Sequence, residues 1–424
     1  MPKHQRLTRR GFLCKTGKLM TTAAVVPTII SATAIGTPAR AAASERIVMG
    51  NIGFGGRAGS VVPVFLGEKD VQMVAVCDVK ASRRQLAKQV VDKHYGNSDC
   101  SAFIDLRELL ARDDIDAVYI ATGDSWHSLA ACLAARAGKD MYCEKPMSVV
   151  IAESRVLSDT MSRHARIFQC GTQRRSLDHF QFAINLARRG MLGELKTLHA
   201  EKAPNWIDTC QTVLPPETQP PREEFDWDMW LGPAPWRQYN SQYPTRGFWG
   251  GHVDFAGGSI TEWGSHTVDL CQAANDSDDT SPIEYQLKGK DVEATYANGV
   301  RLVIRSNIGA GSCGVRFEGT EGWVQVDDSG QIDVYPQSLQ SERRLGKGYP
   351  MDDHARNFLD CFKTRRQPIA PAEGAHRSIS TCHVANICRR LGRNVKWDPV
   401  KEAFIDDPEA DRMRSRAYRQ PWCL

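Results

Sequence analysis

Between residues 44 and 172, short apolar runs alternate with stretches whose apolar positions recur at helical spacing. The runs are RIVMGNIG, VQMVAVCDV, DAVYIAT (116–122), KDMYCEKP (139–146) and RIFQCGT (166–172). The helical stretches lie around Ala81 to His94, Ser125 to Ala137 and Val149 to Arg163. Nearly continuous apolar strands separated by amphipathic helices predict a parallel sheet covered on both faces. Past about residue 195 the texture changes. Residues 203–250 are rich in Trp, Pro and Gly and read as long loops. From 281 the period becomes two, in IEYQLKG, VEATYANG, VRLVIRS and CGVRFEGTEGWVQVDD, with ANG and GTEG as turns. That pattern predicts an antiparallel sheet. Helices at about 352–364 and 374–391 are expected to pack back on the first domain. A chain of 424 residues has room for two cores. The boundaries read as 44–172 for the first domain and 173–424 for the second, an α/β class throughout.

Charge changes the picture at the N-terminus. Of 54 Lys and Arg, seven fall in residues 1–43 with no Asp or Glu, leaving 47 against 50 acidic residues elsewhere. The basic excess belongs to this leader, so no nucleic-acid surface is expected. LTRRGFLCK precedes a mildly apolar stretch broken by Pro27 and Gly36, then Ala-x-Ala sites in TPARAAASE. This pattern predicts a twin-arginine signal peptide, a partner in the Tat export machinery and a periplasmic or otherwise exported protein, with no stable membrane span after processing. The 13 cysteines include no CxxC. Cys77, Cys132, Cys143 and Cys170 fall in apolar patterns and read as buried thiols. No Cys/His spacing suits zinc, so no metal is expected.

The first strand runs into Gly53-Phe54-Gly55-Gly56-Arg57-Ala58, a GxGxxA loop. Gly53 permits a tight turn, Gly55 lets the backbone approach a pyrophosphate, and the small Ala58 allows close helix–strand packing. The following helix offers free N–H groups to phosphates. Asp78 closes the second strand, where a carboxylate accepts from a ribose 2′-hydroxyl and repels a 2′-phosphate. NAD is therefore favoured over NADP, with Lys80, Arg83 and Arg84 close behind as the opposing signal. Lys145 sits at the carboxyl end of a parallel strand, where such sheets bind ligands. Its ammonium can polarise a carbinol or carbonyl oxygen. Glu262, His266 and Asp269, at i, i+4 and i+7 of a helix opened by Gly257-Gly258, share one face. His266 can act as general base and a neighbouring carboxylate can orient its ring.

Glu144-Lys145-Pro146 in GKDMYCEKP resembles the EKP motif of the glucose–fructose oxidoreductase / inositol dehydrogenase (Gfo/Idh/MocA) family. ATGDSWHSLAACLAARAGKD, CGTQRRS, WDMWLGPAPWRQY and GGSITEWGSHTVDL agree with it, and WDMWLGPAPW looks most like the Tat-exported subset. The resemblance implies an N-terminal Rossmann domain and a C-terminal α/β domain on an open, mostly antiparallel sheet that commonly serves as a homo-oligomer interface. It places the nicotinamide between the two. Thr122, His127, Glu144, Lys145 and Gln173 become cofactor-binding candidates, and Lys145, His266, Glu262 and Asp269 catalytic ones. The family's usual first Asp is Glu262 here, and its Thr-Pro-[Asp/Asn] loop is replaced by Gly123-Asp124-Ser125. Arg174 suits either the cleft or an ion pair. Trp206, Trp249 and His252 suit either a sugar ring or loop packing.

Three functions remain open: an oxidoreductase on a sugar, polyol or related carbohydrate, a redox-neutral glycosidase or lyase working through transient oxidation, and a non-catalytic NAD- or sugar-binding protein. A leader joined to a nucleotide loop adds a constraint. Outside the cytoplasm NAD would have to be loaded before export, retained, and restored by the reaction itself.

Overall fold

The computed structural model describes residues 41–203, 211–347 and 353–424. Of the signal peptide expected at residues 1–43, residues 1–40 lie outside the described residues, as does Trp206. Residues 41–46, with one 3-10 turn at Ala43–Glu45, belong to a unit separate from Ile47–Leu424, and everything below concerns Ile47–Leu424.

The first sheet is wholly parallel and has six strands: β1 (Ile47–Ile52), β2 (Val71–Cys77), β3 (Ser101–Phe103), β4 (Ala117–Ile120), β5 (Asp140–Cys143) and β6 (Phe168–Cys170), in the order 3-2-1-4-5-6. β4 and β5 are buried at every position, as strands covered on both faces must be. The covering helices are α1 (Gly56–Gly67), α2 (Ala81–Tyr95), the short α3 (Leu106–Leu110), α4 (Asp124–Arg136) and α5 (Ile151–His164). The edge strand β3 escapes the hydrophobic pattern because it has only three residues, none of them buried.

After α6 (Asp178–Arg188) comes β7 (Leu195–Glu201), the strand that organises the second sheet. Short helices α7 (Trp227–Leu231) and α8 (Arg246–Trp249) interrupt the Trp/Pro/Gly stretch. Then follow α9 (Gly258–Ala274), β8 (Glu284–Lys288), β9 (Asp291–Thr295), β10 (Arg301–Arg305), β11 (Val315–Gly319), β12 (Trp323–Val326) and β13 (Ile332–Tyr335). Next come α10 (Asp353–Thr364), α11 (Ala372–Leu391), β14 (Val395–Asp398), β15 (Ala403–Phe404) and α12 (Pro408–Arg412). The nine strands lie in the order 13-12-11-7-10-9-8-14-15, with only the 7/10 pair parallel. β7 carries Lys196, Thr197 and His199 among its apolar residues, which hides it from a period-two reading, yet Leu198 and Ala200 are fully buried.

α9 has no polar outer face. Only Trp263 among its residues is not buried, because β7 covers one side and α11 another. The C-terminal helices reach the first domain. Phe358 of α10 meets Phe65 and Tyr142 edge-on, and Arg356 bonds Glu68 and Asp70. The loops at 211–255 condense into an aromatic cluster in which Trp227 and Trp230 stack at 4.8 Å. This cluster is stitched to the end of β2: Lys80 bridges Phe225, Ala81 N–H donates to Glu224 C=O, and Asp226 N–H donates to Val79 C=O. The C-terminal tail then ties the cluster down. Arg419 bonds Asp228 and the Gly232 carbonyl, Arg416 bonds Glu153 and the Asp254 carbonyl, and Trp422 packs edge-on against Trp126. Cys77, Cys132, Cys143 and Cys170 are buried thiols. Among the described residues no helix is long and apolar enough to cross a membrane, and no group of His, Cys, Asp and Glu is placed to hold a metal ion.

The junction of α5 with α11 is ionic. Arg155 bonds Glu373 and Glu402, and His376, fully buried, bonds Glu402 at 2.8 Å. These partners hold both carboxyls at about 2 against an ordinary 4.5, despite burial acting upward. Depressed carboxyls contribute stability that is complete above their unfolded-state pKa and lost as pH falls toward the folded one. Urea midpoints should therefore drop between pH 4.5 and 2. Arg155→Met should lower stability at pH 7 by roughly 1–3 kcal/mol and flatten that acid dependence; an unchanged dependence would show that the junction is not what acid breaks.

Candidate active site

The nucleotide loop is formed by backbone necessity. Gly53 has φ +85°, and a Cβ there would lie 2.7 Å from the Ala121 carbonyl oxygen, so neither the turn nor the approach of β4 admits a side chain. Its N–H donates to Cys77 C=O at 2.8 Å. At Gly55 and Gly56 a Cβ would meet nothing within 4 Å. The loop leaves an open cradle, and α1 begins at Gly56 with its first N–H groups facing it. Ala58, in the first turn of α1, is fully buried and packs rather than lines. Asp78 lines the same cavity. Its two carboxylate oxygens accept from Phe54 N–H and Lys80 N–H, both at 2.8 Å, and each keeps a lone pair for a further donor. Burial pushes this carboxyl up. Free helix N–H groups, an open backbone cradle and a carboxylate at the ribose end form a donor and acceptor set that fits NAD.

At the end of β5 the buried Glu144 is a hub. One of its oxygens receives Arg57 Nε at 3.1 Å, Tyr119 OH at 3.2 Å and Gln173 Nε2 at 3.1 Å. Gln173 also bonds Tyr142 OH at 2.8 Å, so it positions Glu144 from behind. Lys145 follows, joined to Pro146 by a cis peptide. Its Nζ donates to the Glu262 carbonyl at 2.9 Å and pairs with the Glu262 carboxylate at 3.1 Å. Arg246 bonds the same carboxylate from the aromatic cluster. Although burial acts upward, the two cations hold Glu262 below the usual range. His127 lies across the cavity. Its Nδ1 donates to Pro146 C=O at 2.7 Å, which leaves the lone pair on Nε2, a buried atom with no hydrogen-bond partner among the described residues. Burial lowers its pKa, so the ring is neutral. Thr122 donates to Gly123 C=O at 3.1 Å at the cavity edge.

The structure thus gathers the loop from Gly53 to Arg57, Asp78, Thr122, His127, Glu144, Lys145, Glu262 and Trp249 around one cavity. Other candidates are placed elsewhere. Asp269 belongs to the scaffold: its carboxylate is held by Arg175 and Ser378, away from the cavity lining. Helical spacing correctly puts it on one face with Glu262, but that face extends past the cavity. His266 is buried behind the lining, with Nδ1 unpartnered among the described residues. Arg174 takes the ion-pair alternative, bonding Asp328 through two contacts of 2.6 Å. His252 lies inside the aromatic cluster, bonded to Arg237 and the Thr212 carbonyl. The lining also includes Asp124, Met229, Trp230, Arg246 and Phe255. Most come from the aromatic stretch, where no periodicity announces direction. Asp124 was legible as a departure from a motif but not as a pocket residue.

The chain belongs to the Gfo/Idh/MocA oxidoreductase family. Residues 47–172 match its NAD-binding Rossmann fold and residues 186–424 its C-terminal alpha/beta domain. The first domain is thus an NAD-binding Rossmann domain. A Glycosyl hydrolase family 109 protein of Saccharopolyspora erythraea is 36% identical over 132 residues, 29% of this chain and 28% of that protein. The Alpha-N-acetylgalactosaminidase of Shewanella oneidensis is 32% identical over 166 residues, 38% of this chain and 35% of that protein. The chain therefore matches only about a third of the length of these curated relatives. The crystal structure of aldose-aldose oxidoreductase from Caulobacter crescentus superimposes with a TM-score of 0.57 at 17% identity, covering 83% of this chain and 99% of that one. The shared fold is a parallel Rossmann sheet followed by a mixed-sheet domain.

Gly53→Ala should give protein with little or no bound dinucleotide, measured by nucleotide analysis after denaturation, and a lower melting temperature. Gly55→Ala, where space is open in the protein itself, should weaken binding while leaving thermal stability close to wild type. Full nucleotide content in both variants would place the dinucleotide elsewhere.

Proposed function

We propose that the protein is an NAD-dependent oxidoreductase acting on a carbinol of a sugar, polyol or related carbohydrate, with the cofactor tightly retained. The observation that carries this reading is Lys145 at the carboxyl end of β5, lining the same cavity as the glycine loop. Bound NAD supplies a reversible hydride acceptor there. The loop from Gly53 to Arg57 and the first turn of α1 hold the pyrophosphate. Asp78 takes the ribose hydroxyls and favours NAD over NADP. The Lys145 ammonium holds the substrate oxygen and stabilises its alkoxide character, and Trp230 and Trp249 offer faces for a sugar ring. A second reading, a redox-neutral glycosidase or lyase that oxidises a hydroxyl transiently, is favoured by the family 109 relatives. Both readings agree with export by the Tat route, since a protein loaded with NAD before transport and a reaction that restores it need no external pool. The outer face of the nine-stranded sheet is the proposed homo-oligomer surface.

Two measurements test the reading. Nucleotide released from purified, denatured protein should be NAD in near-stoichiometric amount; nucleotide-free protein that turns over only with added NAD would remove the retained-cofactor claim. A panel of sugars, polyols and glycosides should then be screened for change in cofactor absorbance and for bond cleavage. Cleavage without net absorbance change would select the second reading. Lys145→Ala should keep its nucleotide and lose about 10²–10⁴-fold in turnover; unaltered behaviour would indicate a binding protein.

A further inference from the structure

We propose that Asp124 is the acid–base residue of the substrate half of the cavity: it takes the proton of the substrate hydroxyl held by Lys145 and returns it in the reverse step. The proposal rests on the reading of the cavity as a carbinol site. Asp124 opens α4 directly after Gly123, is only 5% exposed, and lines the cavity together with Lys145, Arg246 and Glu262. Glu262 is committed: Lys145 and Arg246 both bond its carboxylate. Asp124 forms no ion pair with any described residue. Two carboxyls in one buried site do not ionise alike. Glu262, with the two cations, carries the charge. Burial and the Glu262 charge push Asp124 well above the usual carboxylate range, with Lys145 and Arg246 pulling the other way. A carboxyl that lines the cavity beside Lys145, carries no ion pair of its own and holds its proton more tightly than an ordinary carboxyl can both give and take a proton there, which is what acid–base catalysis asks for.

The two histidines serve this purpose less well. His266 is not part of the lining, and burial together with Arg174, Lys145 and Arg57 penalises its protonated form. His127 has Nδ1–H fixed on the Pro146 carbonyl, and burial likewise disfavours a second proton. In the oxidative direction the substrate O–H bond breaks and its proton passes to a carboxylate oxygen of Asp124. The freed electron pair becomes the second bond of the carbonyl, and the carbinol hydrogen would leave with its bonding pair as hydride, for which NAD held by Asp78 and the loop from Gly53 to Arg57 would be the acceptor. Return of that hydride is matched by return of the proton. Oxidation therefore needs Asp124 ionised and speeds up as pH rises through its elevated pKa, whereas reduction needs it protonated and slows over the same range.

The test compares full-length, nucleotide-loaded wild type with Asp124→Asn, Glu262→Gln and His266→Gln, each first checked for native circular dichroism. Infrared titration should show, beside the band of the buried Glu201, which is raised to about 7 and is present in every variant, a second buried carboxyl in the wild type that stays protonated above the usual carboxylate range. That signal should be absent in Asp124→Asn and should titrate at lower pH in Glu262→Gln, where the repelling charge is gone. On whichever panel sugar turns over, Asp124→Asn should lower kcat about 10²–10⁴-fold and abolish the rise of oxidation with pH, while His266→Gln keeps that rise. An infrared signal untouched by Asp124→Asn would overturn the proposal. So would a rising limb that survives Asp124→Asn and disappears in His266→Gln. If no panel sugar turns over, the carbinol reading fails on its own, and the infrared titration still decides where the proton resides.

Discussion

The site depends on one buried ion pair. Lys145 stands at a strand end of the parallel sheet, and Glu262 stands on the helix that packs against the mixed sheet. Their 3.1 Å contact fastens the two halves of the molecule where the chemistry is placed. Removing a lysine and a glutamate from water is costly, and their attraction compensates only when the remaining hydrogen-bonding capacity is met. Here it is met twice over. The Glu262 carbonyl receives the same ammonium, and Arg246 reaches down from the aromatic cluster to the same carboxylate. The cluster, the helix and the strand end must therefore all be in place before any one of these charges is comfortable.

The surrounding polar residues divide into those that face the cavity and those that hold its walls. Glu144 illustrates the second kind. With Arg57, Tyr119 and Gln173 converging on one oxygen, it fixes the peptide that precedes Lys145. Asp269 does the same about two helical turns beyond Glu262, locking α9 to Arg175, which in turn bonds Asp278. A fully satisfied polar network rigidifies its surroundings. It also explains why a helix as thoroughly buried as α9 can carry the carboxylates of Glu262 and Asp269 along one face.

Much of this was legible in the sequence. Continuous apolar runs located five of the six parallel strands, and helical spacing located α2, α4, α5, α10 and α11 to within about two residues. Strand β3 was too short to register, and β7 was masked by polar side chains whose burial is set by tertiary neighbours. The glycine loop, Asp78 and Lys145 could be read because each is demanded by local geometry or by a strand end. Arg246, Trp230 and Phe255 could not, since their position follows from how an irregular segment folds over a distant strand. The i, i+4, i+7 series was right about the shared face and wrong about Asp269 sharing the cavity, because a helix face is longer than the pocket it borders.

The stitching of the aromatic cluster to the end of β2 has a kinetic consequence. Val79, Met229 and Trp230 form one wall of the cavity, and the backbone bonds Ala81 N–H to Glu224 and Asp226 N–H to Val79 run along that wall. Passage of a large ligand through this side requires those bonds to break together, with Arg419 and Trp422 releasing their holds from the other edge. Such an opening is a local unfolding event. Residence time of a dinucleotide on this path would then depend on the stability of a small piece of β structure as well as on the contacts the dinucleotide itself makes, so that entry and exit would both be slower at the same affinity than in an uncovered Rossmann cleft.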